Sequence, residues 1–196
     1  MTYVLASGSP RRRELLGQLL GDIPFSVDPA VRPEPDAAGL SPQEAVLRIA
    51  RAKAEEVAAR RGADDTVIAA DTLVYLDGAP LGKPRDGADA ARMLRALSGR
   101  AHEVLTGVSA ARSGRFLDRC AVTKVTFRRL TEEEIVRYVA TGEPMDKAGA
   151  YGIQGRAGVM IASICGDYYN VVGLPLCTLW EMLRDLGALP GQEGSA

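Results

Sequence analysis

Residues 65–84 read DTVIAADTLVYLDGAPLGKP, two apolar strand-like runs on either side of Asp77-Gly78. Asp-Gly between two such runs is a strong short-range hairpin signal, because the favoured two-residue turn needs φ > 0 at both centres. These two strands are therefore expected to run antiparallel. Elsewhere strand and helix patterns alternate, the signature of parallel strands joined by crossovers. Both kinds of connection in one chain predict an α/β fold with a mixed sheet rather than a purely parallel one.

Working upstream, the run from Tyr3 reads as a short buried strand. Ser9 is placed as a helix N-cap and Pro10 at the first helical position. Leu15, Leu16, Leu19 and Leu20 supply that helix's apolar face. Phe25–Val27 reads as a short strand, followed by a long loop rich in Pro, Asp and Gly. Ser41, Pro42 and Glu44 form a capping box that starts a helix, with Gly62 as its stop.

Downstream, residues 85–99 form a helix with Ala90, Met93, Leu94 and Leu97 on one face and Gly99 at its end. Residues 102–112 and 115–130 read as strands joined by Ser113-Gly114. A Thr131–Glu134 capping box opens the next helix. Residues 146–158 make a glycine-rich loop, and 159–173 suggest two short strands around Cys165-Gly166-Asp167. A closing helix carries Leu176, Leu179, Trp180 and Leu183 on one face. There is no internal repeat, so a single domain over 1–189 is expected, with a frayed tail over 190–196.

Composition sets limits on function. The chain has 196 residues, 46% apolar and 25% charged, which is ordinary for a soluble globular protein. Its net charge of −1 excludes a general basic field and argues against a nucleic-acid partner. The three cysteines, Cys120, Cys165 and Cys177, are unclustered, so a disulfide framework or zinc site is not expected and a reducing cytoplasm fits. The lone histidine, His102, rules out histidine-rich metal sites and suits a hydrogen-bonded structural role. No apolar run approaches the roughly 20 residues of a membrane span, and no signal peptide is expected.

Several residues are out of place for structure alone. Arg11, Arg12 and Arg13 crowd the first turn of a helix, where each cation costs roughly 0.3–1 kcal/mol against the macrodipole. Helix-terminal N–H groups, Gly8, two serines and forked guanidinium donors together make a seat for phosphate, which would relieve that repulsion. The alternative is that the arginines simply project into water. Lys53 interrupts the apolar stripe Val46, Ile49, Ala50, Val57, so it either snorkels out or meets a negative partner. Asp71 interrupts an apolar strand and must pair, bind metal or act as a base, unless it only ends the strand with a hydrogen bond. Lys83 follows the hairpin. In the glycine-rich loop, the Gln154 amide both donates and accepts, which suits the edge of a planar base. Trp180 and Tyr168–Tyr169 are read as packing.

Five stretches carry a resemblance: LASGSPRRRELL (5–16), AADTLVYLDGAPLGKPRD (69–86), LSGRAHEVLTGV (97–108), DKAGAYGIQG (146–155) and VVGLPL (171–176). Each alone is weak; five in order at plausible spacing are a strong signal. Together they resemble the Maf nucleotide pyrophosphatases over about residues 3–187, and KAGAYGIQG resembles the branch acting on dTTP and UTP. The resemblance implies a three-layer α/β fold with a mixed sheet and two lobes around a cleft, shared with Ham1 and ITPase-like proteins. It implies hydrolysis of a nucleoside triphosphate to monophosphate and pyrophosphate with a divalent cation, Mg²⁺ or Mn²⁺, in a house-cleaning role, and a homodimer.

By position, Asp71 matches the catalytic carboxylate. Arg11, Thr72 and Gln154 match positions that set base specificity, and Ser7, Arg12, Lys53 and Lys83 match those that handle phosphate. One departure stands out. After the second strand the family usually has a hydrophobic residue and an acidic pair, where this chain has AVRPEP (30–35). Either Glu34 joins Asp71 on the metal side through a shifted loop, or a metal-side carboxylate is missing. Two alternatives remain: a purine-directed pyrophosphatase acting on inosine or xanthosine triphosphate, and a non-catalytic nucleotide-binding regulator of septum formation.

Overall fold

The computed structural model describes residues 2–189; the tail expected over 190–196 lies outside the described residues. In chain order the elements are β1 (Tyr3–Leu5), α1 (Pro10–Leu20), β2 (Phe25–Val27), α2 (Pro42–Ala58), β3 (Thr66–Leu76) and β4 (Ala79–Leu81). They continue with α3 (Gly87–Leu97), β5 (Ala101–Arg112), β6 (Arg115–Phe127), α4 (Glu132–Val139), β7 (Ile161–Cys165), α5 (Tyr168–Val172) and α6 (Leu176–Asp185). The seven strands form a sheet in the order β2-β1-β3-β5-β6-β7, with β4 paired to β3. β1 is parallel to β2 and to β3, whereas β3–β4 and β6–β7 are antiparallel. The sheet is thus mixed, as the hairpin signal predicted. Asp77 and Gly78 take φ of 52° and 77°, as a hairpin turn of this type requires.

The chain divides into two compact units. The first comprises the chain up to Asp71, Thr106–Ala121, and the chain from Gly173. Its core includes Val4, Ala54, Val57, Val67 and Ala111, all buried. α1 buries Leu15, Leu16 and Leu20 and packs on α6. The Ser41–Glu44 capping box of α2 forms as expected. Gly107 of β5 lets α2 lie directly on the strand: a Cβ there would stand 2.5 Å from the Val46 carbonyl oxygen.

Two expectations fail in this unit. α2 ends at Ala58, short of Gly62. The chain leaves the helix where Arg60 and Arg61 turn to share the Asp28 carboxylate, with Arg60 Nη2 at 2.7 Å from Oδ1 and Arg61 Nε at 2.8 Å from Oδ2. In α6, Leu176, Leu179, Met182 and Leu183 form the buried face, while Trp180 is 42% exposed. Helical spacing placed Trp180 at one edge of that face, but the buried arc lies toward the other edge, through Met182.

The second unit spans Thr72–Leu105 and Val122–Val172. Its core gathers Leu94 and Leu97 of α3, Val104, Phe127, and Ile135 of α4. His102 lies in this core, 3% exposed, with Nε2 at 2.8 Å from the Tyr151 hydroxyl and the rings of Phe127 and Tyr151 edge-on to it. It is the structural histidine the sequence suggested. The second strand expected after Cys165-Gly166-Asp167 is instead helix α5. Asp167 Oδ1 accepts from Tyr169 N at 2.7 Å, and buried Asn170 donates to the Val104 carbonyl and to Thr123 Oγ1, both at 2.9 Å. A local side-chain bond that starts a turn outweighs the strand preference of a short aromatic and β-branched run. Tyr168 is 39% exposed and meets Tyr169 edge-on, so its packing is partial.

Candidate functional site

The first unit holds six of the singled-out residues: Ser7, Arg11, Arg12, Glu34, Lys53 and Asp71. β1 runs into a turn whose Ser9 caps α1, with Ser9 Oγ accepting from Arg12 N. Ser7 is buried, and its Oγ accepts from Ser9 N and from Arg12 Nη1, each at 3.3 Å. Arg12 Nε donates to the Gly173 carbonyl at 2.9 Å. This arginine therefore folds back over its own helix terminus instead of projecting into water. Burial draws the Arg12 guanidinium below its ordinary value, and the Asp71 and Glu34 carboxylates oppose that shift. Arg11 is half-buried, while Arg13 is exposed and lines a groove of about 500 Å³ with Gly8, Pro10, Phe25 and Val27.

Lys53 settles its own ambiguity by pairing. Its Nζ donates to Asp71 Oδ1 and to Glu34 Oε1, both at 2.7 Å. The surrounding stripe residues Val46, Ile49, Ala50 and Val57 are buried, so the ammonium emerges from an apolar helix face between two carboxylates. Asp71 is 9% exposed, and its pairing meets the cost of placing a carboxylate in an apolar strand. Glu34 reaches Lys53 from the irregular loop after β2, so its carboxylate shares that ammonium with Asp71.

The remaining candidates belong to the second unit. Thr72 follows Asp71 in β3 and is half-buried. Lys83 is exposed just past β4. Gln154 is exposed at the tip of a turn closed by Gly155 N donating to the Gly152 carbonyl at 3.0 Å. The glycine-rich loop is joined to the chain before Lys83, because Gly149 N donates to the Gly82 carbonyl at 3.1 Å.

Two acids that the sequence did not single out organise these loops. Glu143 accepts from the Tyr138 hydroxyl at 3.0 Å and from Arg156 N at 3.1 Å. A Cβ on Gly155 would stand 2.1 Å from Glu143 Oε1, so glycine is needed for the loop to approach that carboxylate. Glu56 of α2 is buried and accepts from Val31 N at 2.8 Å and Arg32 N at 3.1 Å. Its only trace in the sequence is a place one turn after Lys53.

A helix-terminal anion seat beside a lysine-bridged pair of carboxylates is chemistry suited to a polyphosphate and a hard cation. Known proteins resemble the chain along nearly its whole length. The family described as "Maf-like protein" matches residues 2–186. A dTTP/UTP pyrophosphatase of Thermococcus gammatolerans is 52% identical over 184 residues, covering 94% of this chain and 96% of that protein. A dTTP/UTP pyrophosphatase of Salmonella typhimurium is 52% identical over 188 residues, covering 96% and 94%. A HAM1 protein from Coxiella burnetii shares the fold, with a TM-score of 0.55 and 19% identity over 94% of this chain and all of that one. With the family pattern spanning nearly the whole chain and relatives half identical along it, this chain belongs to the Maf family.

Proposed function

We propose that this protein hydrolyses dTTP and UTP to the nucleoside monophosphate and pyrophosphate. The relatives that share half of its residues bear that activity in their names. The observation that carries the chemistry is the Lys53 ammonium at 2.7 Å from both Asp71 and Glu34.

In this reading water attacks the α-phosphorus and pyrophosphate leaves, with charge stabilisation and positioning lowering the barrier. Ser7, Arg12, Lys53 and Lys83 hold the phosphates, and Asp71 takes the proton of the attacking water or serves the metal. Arg11, Thr72 and Gln154 read the base. Uracil and thymine present an N3–H donor between two carbonyls, and the Gln154 amide can match one donor and one acceptor of that edge.

The donor set fits a divalent cation. Asp71 and Glu34 offer two hard oxygen ligands, and Mg²⁺ is commonly held by one or two carboxylates plus substrate phosphates. Among the described residues no cluster of three or more His, Cys, Asp or Glu forms a cage, so these two acids and the phosphates would hold it. Bound there, Mg²⁺ or Mn²⁺ supplies charge neutralisation and a better leaving group.

The test is product analysis with dTTP, UTP, CTP, ITP and GTP, with Mg²⁺ or Mn²⁺, alongside Asp71→Asn. Pyrophosphate from dTTP and UTP, lost in the variant, is the expected result. Preference for ITP would replace the pyrimidine reading with the purine one. Binding without turnover would replace both with a nucleotide-binding regulator.

A further inference from the structure

α2 grips the loop after β2 at two points on one helix face. Lys53 and Glu56 are three residues apart and so are neighbours on that face. Lys53 takes the Glu34 side chain. Glu56 takes the backbone just before it, with one carboxylate oxygen on Val31 N and the other on Arg32 N. The grip is braced from behind. Arg60 Nη1 donates to Glu56 Oε1 at 3.0 Å, while its Nη2 donates to Asp28 Oδ1 at 2.7 Å and to the Pro29 carbonyl at 2.8 Å. Asp28 N in turn donates to the Leu5 carbonyl at 3.0 Å, fixing the start of the loop to the end of β1.

Beyond the Lys53 ion pair on its side chain, the bonds to Glu56 fix the backbone nearest Glu34. Residues 28–34 form no helix or strand, and Val31 is 81% exposed. Ala30 packs on the core of the first unit just before the clamp, and the chain beyond it is directed by the Glu56 bonds. A buried carboxylate that accepts from two successive backbone N–H groups fixes the chain direction two residues before Glu34. The Val31 N–H is the largest of the influences that hold the Glu56 carboxyl below its usual range.

We propose that Glu56 is a positioning residue for the cation: by clamping the backbone at Val31 and Arg32 it sets Glu34 opposite Asp71. The inference rests on the reading of Asp71 and Glu34 as the metal side. It accounts for how AVRPEP, with Arg32 and Pro33 where an acidic pair is expected, presents Glu34 to Lys53.

The experiment uses the full chain with a non-hydrolysable triphosphate analogue and follows Mn²⁺ binding by electron paramagnetic resonance. Glu56→Gln keeps the size but turns an amide NH₂ toward a backbone N–H. It should raise the Mn²⁺ concentration for half-saturation about tenfold or more, the usual scale for a residue that orients a metal ligand. Amide exchange at residues 31–34 should quicken in the same variant. Glu34→Gln should weaken Mn²⁺ similarly, and the double variant should be no weaker than Glu34→Gln alone, because both act through one carboxylate.

Glu56→Asp, too short to span both amides, repeats the test should Glu56→Gln fold poorly. Unchanged Mn²⁺ binding, or losses that add in the double variant, would overturn the inference. Neither readout needs turnover, so the clamp is judged separately from the proposed activity. Loss of hydrolysis in Asp71→Asn with normal Mn²⁺ binding in the Glu56 variants would leave the activity standing and the clamp refuted.

Discussion

Lys53 on α2 and Asp71 on β3 are joined by a 2.7 Å ion pair whose side chains are only 20% and 12% exposed. The same ammonium holds Glu34, so one cation separates two acids. Lys53→Met would leave Asp71 buried without that partner. A hydrogen bond to a charged group is worth about 1.5–3 kcal/mol, so the variant should lose stability on that scale. Asp71→Asn in the same chain should restore part of the loss by removing the stranded charge. Denaturant midpoints of the wild type, both single variants and the double variant check this. Additive losses would mean that the pair does not stabilise the fold.

The Arg12 guanidinium is held at a helix N-terminus by Ser7 Oγ and the Gly173 carbonyl, in a place whose burial disfavours its charge. A polyanion bound there should relieve that cost. Inorganic triphosphate should therefore raise the thermal midpoint of the wild type, by linkage worth about 2.7 kcal/mol at a hundred times its Kd. Arg12→Lys keeps the charge but cannot span both partners with a planar fork, so its shift should be smaller. An equal shift in the variant would place the anion elsewhere.

What the sequence made legible was local chemistry and charge out of place. The Ser9, Ser41 and Thr131 caps form because each bond closes within three residues. Lys53 and Asp71 stood out because each broke an apolar stripe, and the structure joins them. Glu34 was harder to place, since its position depends on Lys53 and on the Glu56 grip, both far along the chain. Glu56 itself looked like any acid at the edge of an amphipathic helix. Helix α5 was missed because a run of five residues has no period to read, and its geometry follows from Asp167 and the buried amide of Asn170.

His102 makes stability depend on pH. An imidazole in the unfolded chain titrates near 6.5, whereas burial draws the folded one down to about 4. Between those values the unfolded chain binds the extra proton. Stability should therefore fall as pH drops from about 6.5 to about 4, by up to about 1.4 kcal/mol per unit, and this contribution should level off below. His102→Gln retains a partner for the Tyr151 hydroxyl and does not titrate. The difference in unfolding free energy between the two proteins, measured across that window, isolates the effect. A difference independent of pH would mean that His102 titrates alike in both states.

Base preference should follow the loop that carries Gln154. Gln154→Leu removes the amide but leaves the loop in place, so discrimination should fall while turnover persists. Leaving a base donor or acceptor unpaired costs roughly 1–3 kcal/mol, or about 5- to 150-fold in relative kcat/KM for dTTP and UTP over CTP and GTP. Gly155→Ala acts through the scaffold, because its Cβ would lie 2.1 Å from Glu143 Oε1. Either the loop lifts away or Glu143 gives up its bonds to Tyr138 and Arg156 N. The same loss of discrimination should appear, with Gln154 still present. If Gln154→Leu leaves the relative kcat/KM values unchanged, the amide does not read the base. If only Gly155→Ala leaves them unchanged, the Glu143 contact does not set the position of Gln154.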